Sequence, residues 1–364
     1  MKRTVTALPA RERVTSSGGA EAKRLGFFAC GIAKAAPVRD EVANIIRQWI
    51  AKGENADMKY MSNYTDKRLD PRLLMPGVKS IVCVALNYTP EQTLPEGEYQ
   101  FAAYALGQDY HDIVKSKLRQ LATSLGFVEE SAAGDVSQDD DRPHFRAFVD
   151  TAPVLERYWA EEAGLGWTGR NHQLIIPHAG SMFFLGELFL NIELSYDKPM
   201  PNRCGKCHAC IDACPTNAID TTGSFHAAKC LSYQLIENRG DISPEAQNNM
   251  GDTIYGCDRC QQACPWNRFA QPNTTPELQP REELLSMTRE DWQQLSVEKY
   301  QKLFKGSAVK RAKYQGLMRN IEAAACNSSQ KDLSLTNKNN EANNLTNDND
   351  TNNLTIKYNN EQKD

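Results

Sequence analysis

Residues 204–215 read CGKCHACIDACP, and residues 257–265 read CDRCQQACP. The first is C-x2-C-x2-C-x3-C-P, the bacterial ferredoxin spacing, in which three thiolates wrap one iron–sulfur cube and the fourth reaches to a second. The other run is the same pattern without its first cysteine, and Cys230 stands upstream to supply it. Following the crossing rule, one 4Fe–4S cluster takes Cys204, Cys207, Cys210 and Cys264, and the other takes Cys214, Cys230, Cys257 and Cys260. Structural zinc prefers two separated Cys-x2-4-Cys knuckles, which an evenly spaced triplet does not provide. Pro215 and Pro265, after each fourth cysteine, stop the local helix and turn the chain. Two clusters in one chain form a short wire for single electrons. Such a protein shuttles electrons or delivers them to something else it holds.

The rest of the chain is long enough to hold something. Its 364 residues suggest two or three domains. With 40% hydrophobic and 24% charged residues the composition is that of an ordinary globular protein. A net charge of −4 gives no global argument for binding nucleic acid, so such a role needs a local basic surface. Cys30, Cys83 and Cys326 remain, and Cys83 sits in the apolar run 78–84 as a buried strand residue. An odd leftover set beside a cluster-binding set argues for a reducing cytoplasm. Residues 4–19 hold no apolar core of secretory length. The longest apolar stretch, 174–194, is broken by Pro177, His178, Gly180, Glu187, Asn191 and Glu193, so no membrane span is expected.

Along the chain, residues 1–20 are polar and expected to be flexible. A short helix from Glu21 runs into a strand at 27–32, and residues 40–51 carry a helical stripe of Val42, Ile45, Ile46, Trp49 and Ile50. The run 78–86 suits a strand buried on both faces. Residues 101–125 read as one helix stopped by Gly126, 129–142 as an acidic loop, and 144–149 as a strand. Thr151-Ala152-Pro153 opens a helix ending near Gly164, and 174–176 and 182–190 form two strands joined by a turn. Alternation of helices and strands predicts an α/β domain over 21–200, within an overall α+β/α/β architecture. A ferredoxin-like domain with both clusters follows at 201–270, then a helical region at 271–326. The Asn-rich segment 327–364 cannot bury a core and is expected to be disordered.

Several residues outside the cysteines carry possible chemistry. Gly107 interrupts the helix expected over 101–125, beside Asp109, Tyr110 and His111, where a helix-capping role for Asp109 is the plainer reading. Asp150 ends a strand just before a helix, either as a cap or where open α/β sheets gather ligands. Residues 164–171, GLGWTGRN, form a loop for close backbone approach, but no phosphate loop or dinucleotide fingerprint is present. Residues 302–319 are basic, with Phe304 and Tyr314 interleaved, so a solvated helix face or a nucleic-acid contact through Lys310, Arg311 and Lys313 fits.

These motifs together resemble the epoxyqueuosine reductases. The resemblance covers about residues 20–326 and rests on RLDPRLLMPGVKSIV (68–82), YALGQDYHDIVKSKL (104–118), FVDTAPVLERYWAEEAGLGWTGRNHQLI (148–175), SMFFLGELFL (181–190) and the double cysteine pattern. It implies a cytoplasmic, monomeric enzyme that reduces epoxyqueuosine to queuosine at the tRNA wobble position. Cob(I)alamin would be the reductant, charged through two 4Fe–4S clusters by an external low-potential donor. The anticodon stem-loop would be the substrate. The family's proton donor matches Asp150, whose burial between corrin and nucleoside is expected to raise its pKa. Corrin contacts would include Arg68, Asp109, Tyr110, His111, Asp150, Thr168, Gly169, Arg170 and Asn171. The Asn-rich tail departs from the family. Two other classes compete. A reductive dehalogenase would share the cofactors but usually carries a twin-arginine signal. A ferredoxin-type electron-transfer protein would leave the first 200 residues without a role, and would hold no cobalt.

Overall fold

The run Ser80–Asn87 (β2) is a strand with every residue but the last buried, because both of its faces are covered by apolar layers. In the computed structural model, which describes residues 18–130 and 142–327, it is the second strand of a five-stranded sheet. The other four are β1 (Ala29–Lys34), β4 (Val128–Glu129), β5 (His144–Phe148) and β8 (Phe183–Leu190), in the order β1-β2-β8-β5-β4. Three of the four pairings are antiparallel, and β4 with β5 is parallel. The α/β expectation therefore holds as a mixed fold, while the rule for ligands at the ends of parallel strands does not apply to it.

Period-2 alternation divides the sheet's two faces. Val82, Val84, Leu86, Leu188 and Leu190 meet the helix Tyr110–Ser124 through Val114, Leu118 and Leu121. Ile81, Cys83, Ala85, Leu185 and Phe189 meet the helix Glu156–Glu162 through Trp159 and Ala160. Each fully buried aliphatic side chain contributes about 1.5–3 kcal/mol, so these layers fix the sheet between its helices.

A second core crosses the boundaries expected at 200 and 270. It joins Tyr99, Phe101 and Leu106 to Leu231, Leu235 and Tyr255, and to Trp292, Phe304 and Leu317. The short strand β3 (Gln100–Phe101) pairs in parallel with β9 (Thr253–Tyr255) to seam them. The cluster-binding segment is thus not held by its cysteines alone.

Several local expectations change. Residues 101–109 are not α-helical and hold only a 3-10 turn at Ala103–Ala105; the α-helix starts at Tyr110 with Asp109 as its cap, accepting from the His111 N–H at 3.1 Å. Gly107 lies before that helix, where a Cβ would come within 2.7 Å of the Leu278 backbone. Residues 174–176 and 182–190 do not form a hairpin, because β7 (Leu174–Ile175) pairs with β6 (Trp167–Thr168) and β8 joins the main sheet. The basic stretch is not one helix. A 3-10 turn at Ala308–Ala312 leads through Lys313, at φ +62°, into the helix 313–327. Gly19 and Ala20 are already helical, as is Asn327. The remaining expectations for the first residues, the acidic loop and the tail lie outside the described residues. No helix among the described residues is long and apolar enough to cross a membrane.

Candidate functional site

Each cysteine run folds as a short helix, Ala209–Asp212 and Arg259–Gln262, and the two helices pack on one another. Cys204, Cys207, Cys210 and Cys264 line one cavity of about 150 Å³, with Arg170, Asn171, Ile175 and Trp266. Among the described residues no three His, Cys, Asp or Glu side chains converge on a single-ion site; these sulfurs surround a space instead. The Cys260 thiol is pushed up by burial and then by Cys257, Cys230, Asp258 and Cys214. The first quartet of the crossing rule thus lines one space, Cys214, Cys230 and Cys257 act on Cys260, and all-thiolate donor sets suit cubes of iron and sulfide.

The two quartets face different ways. Cys207 is exposed, beside exposed Arg203 and Lys206. The other, inner quartet has no exposed cysteine. The Asp258 carboxylate, in its loop, accepts the Ala103 N–H at 2.6 Å. Gly256 packs against Ala102 and Tyr104. Tyr104 meets Tyr110 edge-on, with ring centres 6.4 Å apart.

Tyr110 opens the second half of the site. Its ring lies flat on Phe184 of β8, 4.1 Å away at 4°, and its hydroxyl donates to Asp150 Oδ2 at 2.5 Å. His111 Nε2 stands 3.5 Å from the same oxygen, while His111 Nδ1 is 2.6 Å from Asp109. Asp109 thus does two jobs, capping the helix and orienting the imidazole. Asp150 is exposed at 57% of its side-chain area and sits at φ +51° in a three-residue turn closed by Thr151 N–H to Val149 C=O at 2.5 Å. It is not a helix cap: Pro153 keeps the preceding residue out of the helical region, and the helix begins at Glu156.

The titration of these groups follows from the contacts. The hydrogen bond from His111 holds the Asp150 carboxyl below its usual range, against burial and with help from Tyr110. His111 is raised to about 9 by its bonds to Asp109 and then Asp150. In the protein alone Asp150 is therefore ionised and the proton rests on His111. The raised Asp150 pKa expected from burial requires the site's occupants to be in place.

The other expected corrin contacts divide. Arg68 is buried, donates to Tyr60 C=O at 2.8 Å, and leaves Nε without a partner. Thr168–Asn171 lie against the cluster loops: Asn202 Nδ2 donates to Thr168 C=O at 2.9 Å, Arg170 to Gly205 C=O at 2.9 Å and Asn171 to Cys260 C=O at 3.4 Å. Gly169 is the close-packed point, where a Cβ would meet Ile175 at 2.5 Å. The charge of Arg157 acts on both Asp150 and His172. Of the expected phosphate contacts, Arg311 is already paired with Glu237 at 2.8 Å and stacked over Tyr60. Lys310 and Lys313 are exposed. Glu156 and Glu187 were missed, although Glu187 was visible as a lone charge in the apolar run FFLGELFL.

The comparisons agree with this geometry. Residues 203–267 match the 4Fe-4S double cluster binding domain, and residues 68–151 match the family described as epoxyqueuosine reductase QueG. An epoxyqueuosine reductase of Cellulophaga algicola is 45% identical over 303 residues, 83% of this chain and 95% of that protein. The Escherichia coli epoxyqueuosine reductase is 38% identical over 78% of this chain and 73% of its own length. A crystal structure of an epoxyqueuosine reductase with an epoxyqueuosine-modified tRNA-Tyr stem loop superposes with a TM-score of 0.76 at 27% identity, over 86% of this chain and 81% of that one. A Bacillus subtilis epoxyqueuosine reductase, with its catalytic aspartate loop swung out of the active site, gives 0.74 at 26% identity over 86% and 82%.

Proposed function

The chain belongs to the epoxyqueuosine reductases, and from that premise we propose how its residues reduce epoxyqueuosine to queuosine in tRNA. Turning an epoxide into an alkene breaks both C–O bonds, forms the C=C bond, takes up two electrons and two protons, and releases water. The observation that carries the reading is the proton-bearing group Tyr110–His111–Asp150, built onto the segment that the inner cysteine quartet packs against.

Two 4Fe–4S clusters and a cobalamin are the cofactors. A corrin is rimmed with amide groups, and the partnerless donors Arg68 Nε, Trp167 Nε1 and Arg170 Nε suit such acceptors. Arg68 and the Asp109–His111 turn would hold it on one side and Thr168–Asn171 on the other. When bound, its cobalt supplies a two-electron nucleophile for carbon. Asp150 takes the His111 proton as water leaves the closed site and presents it to the departing oxygen as the first of the two protons, His111 recharged from solvent returns the second as that oxygen leaves as water, and Tyr110 steadies the carboxyl meanwhile. His111 and Asp109 hold the store.

The anticodon stem-loop is the substrate, and the protein acts as a cytoplasmic monomer. Reconstituted anaerobically with iron, sulfide and cobalamin, it should bind roughly eight irons and convert a modified stem-loop to a nucleoside one oxygen lighter. Unchanged nucleoside with full cofactors would sink the assignment.

An external low-potential donor reaches the outer quartet at exposed Cys207, where Arg203 and Lys206 favour an acidic partner such as a flavodoxin or ferredoxin. Reversing both to Glu should slow reduction by such a donor roughly tenfold or more at low salt, steering being worth about 10–10³ in rate. Chemical reduction and RNA affinity should stay put. Weakened RNA binding with normal donor kinetics would reassign the face to tRNA.

A further inference from the structure

Behind Asp150 lies a pair of carboxyls that the proton transfer above does not use. Glu187, in β8, is 0% exposed and neither of its oxygens has a partner. Its cross-strand neighbours are Cys83 and Phe148, on the face covered by the helix Glu156–Glu162. Burial, then the charges of Glu156 and Asp150, pushes its carboxyl well above the ordinary range. Glu156, the first residue of that helix, sends a carboxyl oxygen back to accept the backbone N–H of Asp150. That N–H belongs to a residue held at φ +51°, a conformation that persists only where its surroundings impose it.

We propose that Glu156 is the positioning residue of this site, a latch that works only un-ionised: its carboxyl carbonyl takes the Asp150 N–H and fixes the turn so that the Asp150 carboxyl stays on Tyr110 and His111. Glu187 lies beneath it in the apolar layer, where burial keeps it un-ionised as well. A neutral carboxyl accepts that hydrogen bond without repelling Asp150, whereas an ionised one would push the aspartate off its partners. The groups that act on Glu156 are Asp150 from the loop, Arg157 on its own helix and His111 from the helix Tyr110–Ser124. Glu187 of β8 and Cys83 of β2 lie on the sheet face below. Burial and then the Asp150 charge raise Glu156 to about 8, so it is protonated below that pH and ionises above it.

The latch rests on Asp150 being the acid, and its test separates the two. Glu156→Gln keeps shape and acceptor but cannot ionise. Its single-turnover rate at neutral pH should stay near the parent value, and its alkaline fall should move from about 8 toward the His111 value of about 9. Glu156→Ala loses the acceptor and should lower the rate by roughly 10- to 100-fold at every pH, since a misplaced group can cost about 10²-fold. KM for the stem-loop should not move, and iron and cobalamin content should be unchanged. Infrared spectra through the titration should show a protonated-carboxyl band that Glu156→Gln removes. A Gln variant retaining the parent's alkaline fall, or an Ala variant with the parent's rate, would overturn the latch. A fully active Asp150→Asn overturns the acid instead, and the infrared titration still judges Glu156.

Discussion

Cys230→Ala is expected to leave a protein with one cluster and no donor-driven turnover. Iron should fall from roughly eight to roughly four per chain, the surviving cluster being the one held by Cys204, Cys207, Cys210 and Cys264. The physical reason is the separation of the two quartets. The outer one lines its own cavity, which contains no atom of Cys230. The inner one loses one of four ligands. Alanine is the informative choice, because serine would leave an oxygen able to coordinate. Cys230 precedes the helix Leu231–Ile236, and the backbone N–H groups of Tyr233 and Ser232 in its first turn face the thiol, so alanine removes that contact along with the ligand. Turnover should drop to background because the loop of the inner quartet is the one that packs against the segment leading to Tyr110, with Asp258, Gly256 and Tyr104 as the bridge. Cys326→Ala, at an exposed cysteine outside both quartets, is the control. Paramagnetic resonance of the reduced protein checks the count, and two intact clusters in Cys230→Ala would remove this residue from the ligand set.

What the sequence disclosed followed the range of each interaction. Cysteine spacing is local, so both runs could be read directly, and Cys230 entered as the one upstream thiol able to complete the second. Buried strands were legible for the same reason: 78–86 and 182–190 are apolar but for Lys79, Ser80 and Glu187. Their order is set by long-range pairing, which no local pattern records, and so the antiparallel sheet was not foreseen. The same limit explains Gly107. It read as an interruption of a helix, whereas the demand on it comes from the Leu278 backbone, 171 residues away along the chain (278 − 107). Asp109, Tyr110, His111 and Asp150 do converge, as the resemblance implied. Their partners did not announce themselves, apart from Glu187, whose charge stands alone in an apolar strand. The basic stretch 302–319 shows the opposite error. Its composition is real, but Arg311 is committed to Glu237, and charge alone does not say which basic residues are spare.

Asp150→Asn should keep both clusters and bound cobalamin yet lose about 10²–10⁴ in single-turnover rate, the usual worth of a general acid. Asparagine preserves the acceptor for the Tyr110 hydroxyl, so the turn should hold its place, but it carries no transferable proton. The resting state sharpens the expectation. With Asp150 ionised and His111 protonated up to about pH 9, the pair holds one proton at neutral pH. Closing the site over the carboxylate removes the water that favours its charge, and burial can raise a carboxyl by up to about 3–5 pKa units. The same desolvation lowers the His111 cation, and the two shifts together draw the proton from His111 onto Asp150 beside the departing oxygen. The variant breaks this transfer at its last step. His111 should keep its bond to Asp109 and lose its second carboxylate, so its own titration should fall below the parent's about 9, which NMR of the imidazole can follow. A lowered His111 pKa with a lowered rate and intact cofactors is the signature expected. Normal turnover in Asp150→Asn would show that the oxygen takes its proton elsewhere. Failure accompanied by lost cobalamin would make Asp150 a corrin contact and leave His111, already cationic and 3.5 Å away, as the acid.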